Sequence, residues 1–246
     1  VLNDPRRWRD RFAFLDALHR SGANPFAVHR GDVDPASVRY PAFVRFGSDH
    51  HGPRGGLVDD ARALEAALAP LRRKSRRSPE DIMVVEHADA RDAAGLYRKY
   101  GAFRVGDRIL ARHLFFARDW MVKAPHVLEP EQLELEHAFV RDNPHEPELR
   151  EVFDAAGVEY GRVDYGFVDG RLCVFEVNTN PMISIPEDEL PGIRVESERI
   201  FIERFADALR AVDTVDAGAP DVPLPPLGLP IRERLAMAWR VLRVGA

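Results

Sequence analysis

Apolar and polar residues alternate in two successive runs in the last third of the chain. The first is Tyr160-Gly-Arg-Val-Asp-Tyr-Gly-Phe-Val168 and the second is Arg171-Leu-Cys-Val-Phe-Glu-Val-Asn178, with Asp169-Gly170 between them. Period-two alternation on both sides of an Asp-Gly pair predicts a β-hairpin. A two-residue loop sets Val163 opposite Glu176 and mixes apolar with acidic side chains on one face. A three-residue loop, Val168 to Gly170 with the glycine bulged, sets Arg162 opposite Glu176. That second register gathers Val163, Tyr165, Phe167, Cys173, Phe175 and Val177 on one face and Arg162, Asp164, Glu176 and Asn178 on the other. The cleaner separation favours it.

Helical spacing elsewhere predicts a helix from Arg6 to His19, capped by Asn3 or Asp4, with Trp8, Phe12, Leu15 and Leu18 on its apolar face. Gly22 ends it and Pro25 bars its return. A short strand over Tyr40–Phe46 runs into a Gly-rich loop, Gly47 to Gly56. A helix follows from Asp59 to Leu71, and then a strand of buried type, Ile82–Glu86. Leu96 to Val105 and Arg108 to Phe116 read as two strands about Gly106-Asp107. Further helices are expected over Glu131–Val140, Glu148–Ala156 (ended by Gly157) and Val195–Val212. Residues Ala217 to Pro230 read as a Pro-rich linker before a last helix, Ile231 to Val244. This order predicts an α+β fold of two lobes with mostly antiparallel sheets. The boundaries are 1–35 as a linker or domain remnant, 36–86 as a small lobe, 87–212 as a large lobe, and 213–246 as linker and helix.

Composition narrows the partners. A chain of 246 residues, 45% hydrophobic and 30% charged, is an ordinary globular protein. A net charge of −5 argues against nucleic acid or an anionic membrane as a global partner. The basic run Arg72 to Arg77 reads as a solvated helix end, and the acidic cluster Glu129, Glu131, Glu134 and Glu136 as a solvated face. No apolar run is long enough to cross a membrane. The single cysteine, Cys173, excludes an internal disulfide framework and fits a cytoplasmic protein with a buried, inert thiol. The chain begins without Met, as a piece of something longer would, and a homo-oligomer stays open.

The hairpin carries the chemistry. Two carboxylates and an amide oxygen on one face make a hard, oxygen-only site that suits Mg²⁺ or Mn²⁺, not Zn²⁺. An arginine beside them can neutralise a transferring phosphoryl group or bind a carboxylate. The competing reading is the wet face of an ordinary surface hairpin. Backbone N–H groups of the Gly-rich loop can fold around phosphate oxygens. His51 and Gly52 are its candidate contacts, although it is neither a Walker A sequence nor a dinucleotide fingerprint.

Arg162-Val-Asp164, a hairpin, and then Glu176-Val-Asn178-Thr-Asn-Pro181 resemble the metal-binding signature of the ATP-grasp superfamily, which includes D-alanine–D-alanine ligase and glutathione synthetase. The resemblance covers roughly residues 1 to 212 and is strongest at Glu159 to Pro181. It implies an ATP-grasp-like fold with the nucleotide between the lobes, and ATP and Mg²⁺ (or Mn²⁺) as cofactors. It implies Asp164, Glu176 and Asn178 as metal ligands, and Arg162 near the transferred phosphate. Arg45 stands where the family carries a phosphate-binding lysine. Glu86, or Asp89, is placed at the adenine or ribose. Arg98, Lys99 and Arg112 are further candidates; Arg98 and Lys99 lie on opposite faces of their strand, so at most one of them can face the nucleotide without a bulge. The implied reaction is ligation: ATP activates a small-molecule or peptide carboxylate as an acyl phosphate, which an amine or another nucleophile attacks. A phosphotransferase, or a nucleotide-binding module without ligase activity, is the alternative.

Overall fold

The computed structural model describes residues 2–48, 52–74 and 79–213. Its elements run α1 (Arg11–Arg20), β1 (Val28–Arg30), β2 (Ala42–Phe46), α2 (Ala61–Lys74), β3 (Ile82–Glu86), β4 (Tyr97–Val105), β5 (Arg108–Ala117), α3 (Pro130–Asp142), α4 (Glu146–Ala156), β6 (Tyr160–Val168), β7 (Arg171–Asn178) and α5 (Ile193–Val212). Two sheets form, in the orders β1-β3-β2 and β5-β4-β6-β7. Every pairing in them is antiparallel. The fold is therefore α+β with two sheet-bearing lobes. The Pro-rich stretch and the helix expected over Ile231–Val244 lie outside the described residues.

β3 explains how the smaller sheet is buried on both sides. Ile82 and Val84 pack with Val44, Phe46, Leu64 and Leu68 in one core, while Met83 and Val85 join the larger core. A strand covered on both faces needs a continuous apolar run, and Ile-Met-Val-Val supplies it. On β2, Ala42, Val44 and Phe46 are buried toward the first core, which leaves Phe43 and Arg45 on the opposite face. The large lobe closes around Phe103, Phe153, Tyr165 and Phe201, all fully buried.

Three expectations are corrected. α1 starts at Arg11, with Asp10 as its cap (Asp10 Oδ1 accepts from the Ala13 N–H at 2.7 Å), so Trp8 precedes the helix and is half exposed. Asn3 instead ties down the start of β6: its Oδ1 accepts from Glu159 N at 2.8 Å and Tyr160 N at 2.9 Å. Glu136 is not solvated. It is buried and paired with Arg194 at 2.9 Å, because α5 packs over α3 and brings the arginine to it.

The hairpin register differs from both expected alternatives. Val168 pairs with Arg171, so the loop is the two residues Asp169 and Gly170, with φ of 51° and 74°. Such a loop alone would put Glu176 opposite Val163. A β-bulge at Phe175 adds one residue to β7, so Asp164 faces Glu176 and Arg162 faces Asn178. The bulge restores the polar face by another route. It also reverses parity before it: Cys173 stands opposite Gly166 and Val174 opposite Tyr165, so the expected apolar face is rebuilt around Val174. Cys173 remains fully buried, which pushes its thiol up to about 12.

Candidate functional site

A cavity of about 590 Å³ lies between the two sheets. β2 and β3 form one side of it and β4, β6 and β7 the other, with the irregular stretch Trp120–Lys123 along its border. Arg45, Gly52, Glu86, Arg98, Lys99, Arg162, Asp164, Glu176 and Asn178 all line it. His51 lies outside the described residues.

Strand periodicity gives this cavity two unlike ends. Phe43 and Arg45 alternate on β2, and Tyr97 and Lys99 alternate on β4, so each strand runs from an aromatic to a cationic residue along the same face. At the aromatic end, Phe43 and Trp120 have ring centroids 5.0 Å apart, and His87 meets Trp120 edge-on at 5.8 Å. Burial lowers the His87 pKa and so favours its neutral imidazole.

At the other end the hairpin carboxylates are surrounded by cations. Asp164 is 4% exposed, and its Oδ1 lies 2.6 Å from Arg162 Nε and its Oδ2 3.6 Å from Lys99 Nζ. Glu176 Oε2 lies 2.9 Å from Arg11 Nη2 and 3.5 Å from Arg45 Nη2. Four cations thus meet two carboxylates, and the surplus of positive charge suits a polyanion. Lys99 reaches this cluster because Gly101 stands opposite Asp164 and Lys99 shares its face. Arg98, of opposite parity, turns its guanidinium to Asp92 at 2.7 Å. Gly101 leaves room for the His113 ring, which a Cβ would meet at 2.4 Å. Burial, together with Arg162, Lys99, Arg112 and Arg194, keeps that histidine's pKa well below its ordinary value. Arg112 is drawn away from the cavity, into a buried pair with Glu198 at 2.7 Å.

Glu86 borders the cavity but its carboxylate is fully engaged elsewhere. Oε1 accepts from Arg39 N and lies 3.1 Å from His29 Nε2; Oε2 accepts from Ala27 N at 3.1 Å and Arg39 Nε at 3.2 Å. Burial acts to raise its pKa, and these hydrogen bonds and the Arg39 charge outweigh that and lower it. Asp89, the alternative, is paired with Arg91.

The donor set fits a hard divalent cation in part. Asp164 and Glu176 face each other across the hairpin with Asn178 two pairs further on, all offering oxygen. No group of three or more His, Cys, Asp or Glu suited to a metal occurs among the described residues. Two carboxylates and an amide are what Mg²⁺ takes when phosphates complete its shell, not what an all-protein cage needs.

Sequence reasoning missed Arg11, Trp120, Met121 and Lys123. Arg11 sits on a helix noted only for its apolar face, although an arginine near that helix's start was a visible cation. The stretch 118–123 has no periodicity to read.

No family model matches the chain, and no curated protein matches it. Solved structures do resemble it. An L-amino acid ligase from Bacillus licheniformis is 18% identical at a TM-score of 0.44, and the match covers 71% of this chain and 41% of that ligase's length. D-alanine–D-alanine ligase from Bacillus anthracis is 14% identical at a TM-score of 0.46, covering 82% of this chain and 67% of that one. The same ligase complexed with ATP gives 14% identity and a TM-score of 0.45, covering 81% and 66%.

Proposed function

We propose that the chain binds ATP in the cavity between its sheets and uses it to activate a carboxylate for attack by an amine or another nucleophile. The observation that carries this reading is the polarity of the cavity: an aromatic end and a cation-rich end on one pair of strand faces. A purine stacks on aromatic rings while a triphosphate needs arginines and lysines. Trp120 and Phe43 take the base. Arg45, Lys99 and Arg162 take the phosphates, with the Gly52 backbone beside them. Glu86 holds the wall through Ala27, His29 and Arg39, so the base or ribose is met by the backbone of this strand and not by that carboxylate.

Asp164, Glu176 and Asn178 would hold Mg²⁺, which would supply positive charge against the phosphates. The chain's own part is positioning. Arg162 and Arg45 lie where charge develops on the transferred phosphoryl group, and spreading that charge is most of what a protein contributes to such a transfer. For both to do so, the ion pairs Arg162–Asp164 and Arg45–Glu176 must exchange partners. An incoming phosphate and its cation would replace the partners that these side chains give up, which offsets the cost of breaking buried pairs.

The test is ADP release from ATP with Mg²⁺ over a panel of carboxylic acids and amino acids, with hydroxylamine as trap. Ligase chemistry gives acid-dependent ADP release and a hydroxamate, because hydroxylamine captures an acyl phosphate. ADP release with a stable phosphorylated product would make the chain a phosphotransferase. Nucleotide binding without ADP release for any acid would contradict the reaction and leave the binding.

A further inference from the structure

A second cavity, of about 350 Å³, meets the first at Asn178. Asn178 lines both, and Arg11 lines the second while its guanidinium reaches Glu176 in the first. The volume falls within the range of small-molecule sites. Its wall is partly apolar, through Trp8, Phe12 and Val177, and its charge is cationic, with three arginines against two aspartates.

Most of those charges are already engaged. Asp10 caps α1, and Asp81 accepts from the Ser48 N–H at 2.8 Å and hydroxyl at 2.7 Å. Arg30 donates to the Glu80 carbonyl at 2.5 Å and lies over the Phe12 ring at 3.7 Å. Arg11 donates to the Gly47 carbonyl at 2.6 Å and to Glu176. Arg9 differs: among the described residues its guanidinium has no ion pair or hydrogen bond, and beside it the Trp8 indole is 50% exposed. An unengaged guanidinium next to an open indole matches one class of ligand, an anion with an apolar body.

We propose that the cavity formed by Trp8, Arg9, Arg11, Phe12 and Asn178 binds a small monocarboxylate bearing an apolar group, its carboxylate on Arg9 and its apolar part against Trp8 and Phe12. The site stands on this geometry alone. Its place in a reaction rests on the nucleotide reading: with Asn178 on both walls, the bound acid is the neighbour of the nucleotide.

The test titrates the full chain with 3-phenylpropanoate and with the uncharged 3-phenylpropanamide, followed by ligand-observed NMR. The acid binds and the amide binds at least tenfold more weakly. Arg9→Gln weakens the acid at least tenfold without changing the amide, and Trp8→Ala weakens both. A non-hydrolysable ATP analogue binds Arg9→Gln as it binds the wild type and does not displace the acid. No binding of the acid, equal binding of acid and amide, or wild-type affinity in Arg9→Gln overturns the site. Displacement of the acid by the analogue would put the acid in the first cavity and overturn it equally. Arg9 is exposed, so this variant decides even if Trp8→Ala fails to fold. Arg9-dependent acid binding without analogue binding would leave this site standing and the nucleotide reading refuted; the reverse would do the opposite.

Discussion

Two carboxylate clusters border the same cavity, and they are built differently. Glu86 is satisfied by two backbone N–H groups as well as by Arg39 and His29. Among the described residues, Asp164 and Glu176 are held by side-chain cations alone, at distances from 2.6 to 3.6 Å. A backbone donor cannot leave without unfolding something, whereas a lysine or arginine can change partner by rotating. The first cluster therefore reads as framework, pinning β3 to the segments at Ala27 and Arg39. The second reads as exchangeable charge waiting on a ligand. Burial does not separate them, since Glu86 and Asp164 are both buried; the kind of donor does.

Replacing a member of each cluster should split the phenotypes. Asp164→Ala is expected to reduce ATP turnover by roughly 100-fold or more, with circular dichroism and the unfolding midpoint little changed. Glu86→Ala should do the reverse, costing about 2–3 kcal/mol of stability in denaturant titration while nucleotide affinity per folded molecule changes little. If Asp164→Ala unfolds the chain, or Glu86→Ala abolishes binding in a folded chain, the distinction is wrong.

Smaller effects sharpen the two ends of the cavity. Lys99→Met should weaken an ATP analogue about tenfold and inorganic tripolyphosphate by a similar factor. Trp120→Ala should weaken the nucleotide about tenfold and leave tripolyphosphate unchanged. Equal effects of Trp120→Ala on both ligands would remove the base from the aromatic end.

The smallest effect is in pH. The Glu86 pKa is lowered in the folded chain, so its stabilisation is complete above the unfolded value, about 4.3, and is lost as pH falls through the lower folded value. Acid unfolding followed from pH 6 downward should be shallower in Glu86→Gln than in the wild type. An identical profile would mean that the Glu86 hydrogen bonds do not favour the charged form.

The hairpin's polar face was legible because alternation around Asp169-Gly170 is a local signal. Its register was not. Nothing beside Phe175 marks a bulge, yet the bulge is what sets Asp164 opposite Glu176 while Val163 stays buried. Most of the helices and strands appeared within a few residues of their expected limits. β1 was missed because three residues carry no period. Trp8 was placed on a helix that Asp10 starts later. Glu136 looked solvated because its partner, Arg194, is 58 residues away, and the engagement of Glu86 by Ala27 and Arg39 is equally non-local. Strand parity puts Arg162 with Asp164 on one face and Glu176 with Asn178 on another, but the meeting of these residues with Arg45 and Lys99 at one cavity comes from the bulge and from non-local strand packing, which parity does not show. Trp120 and Lys123 sit where no parity exists.

The most direct measurement is calorimetric titration of the chain with a non-hydrolysable ATP analogue, with and without Mg²⁺, beside the double variant Asp164→Ala, Glu176→Ala. Mg²⁺-dependent binding to the wild type that disappears in a folded double variant is the predicted result. Absence of binding to the folded wild type, or equal binding by the variant, would contradict a nucleotide site at this hairpin.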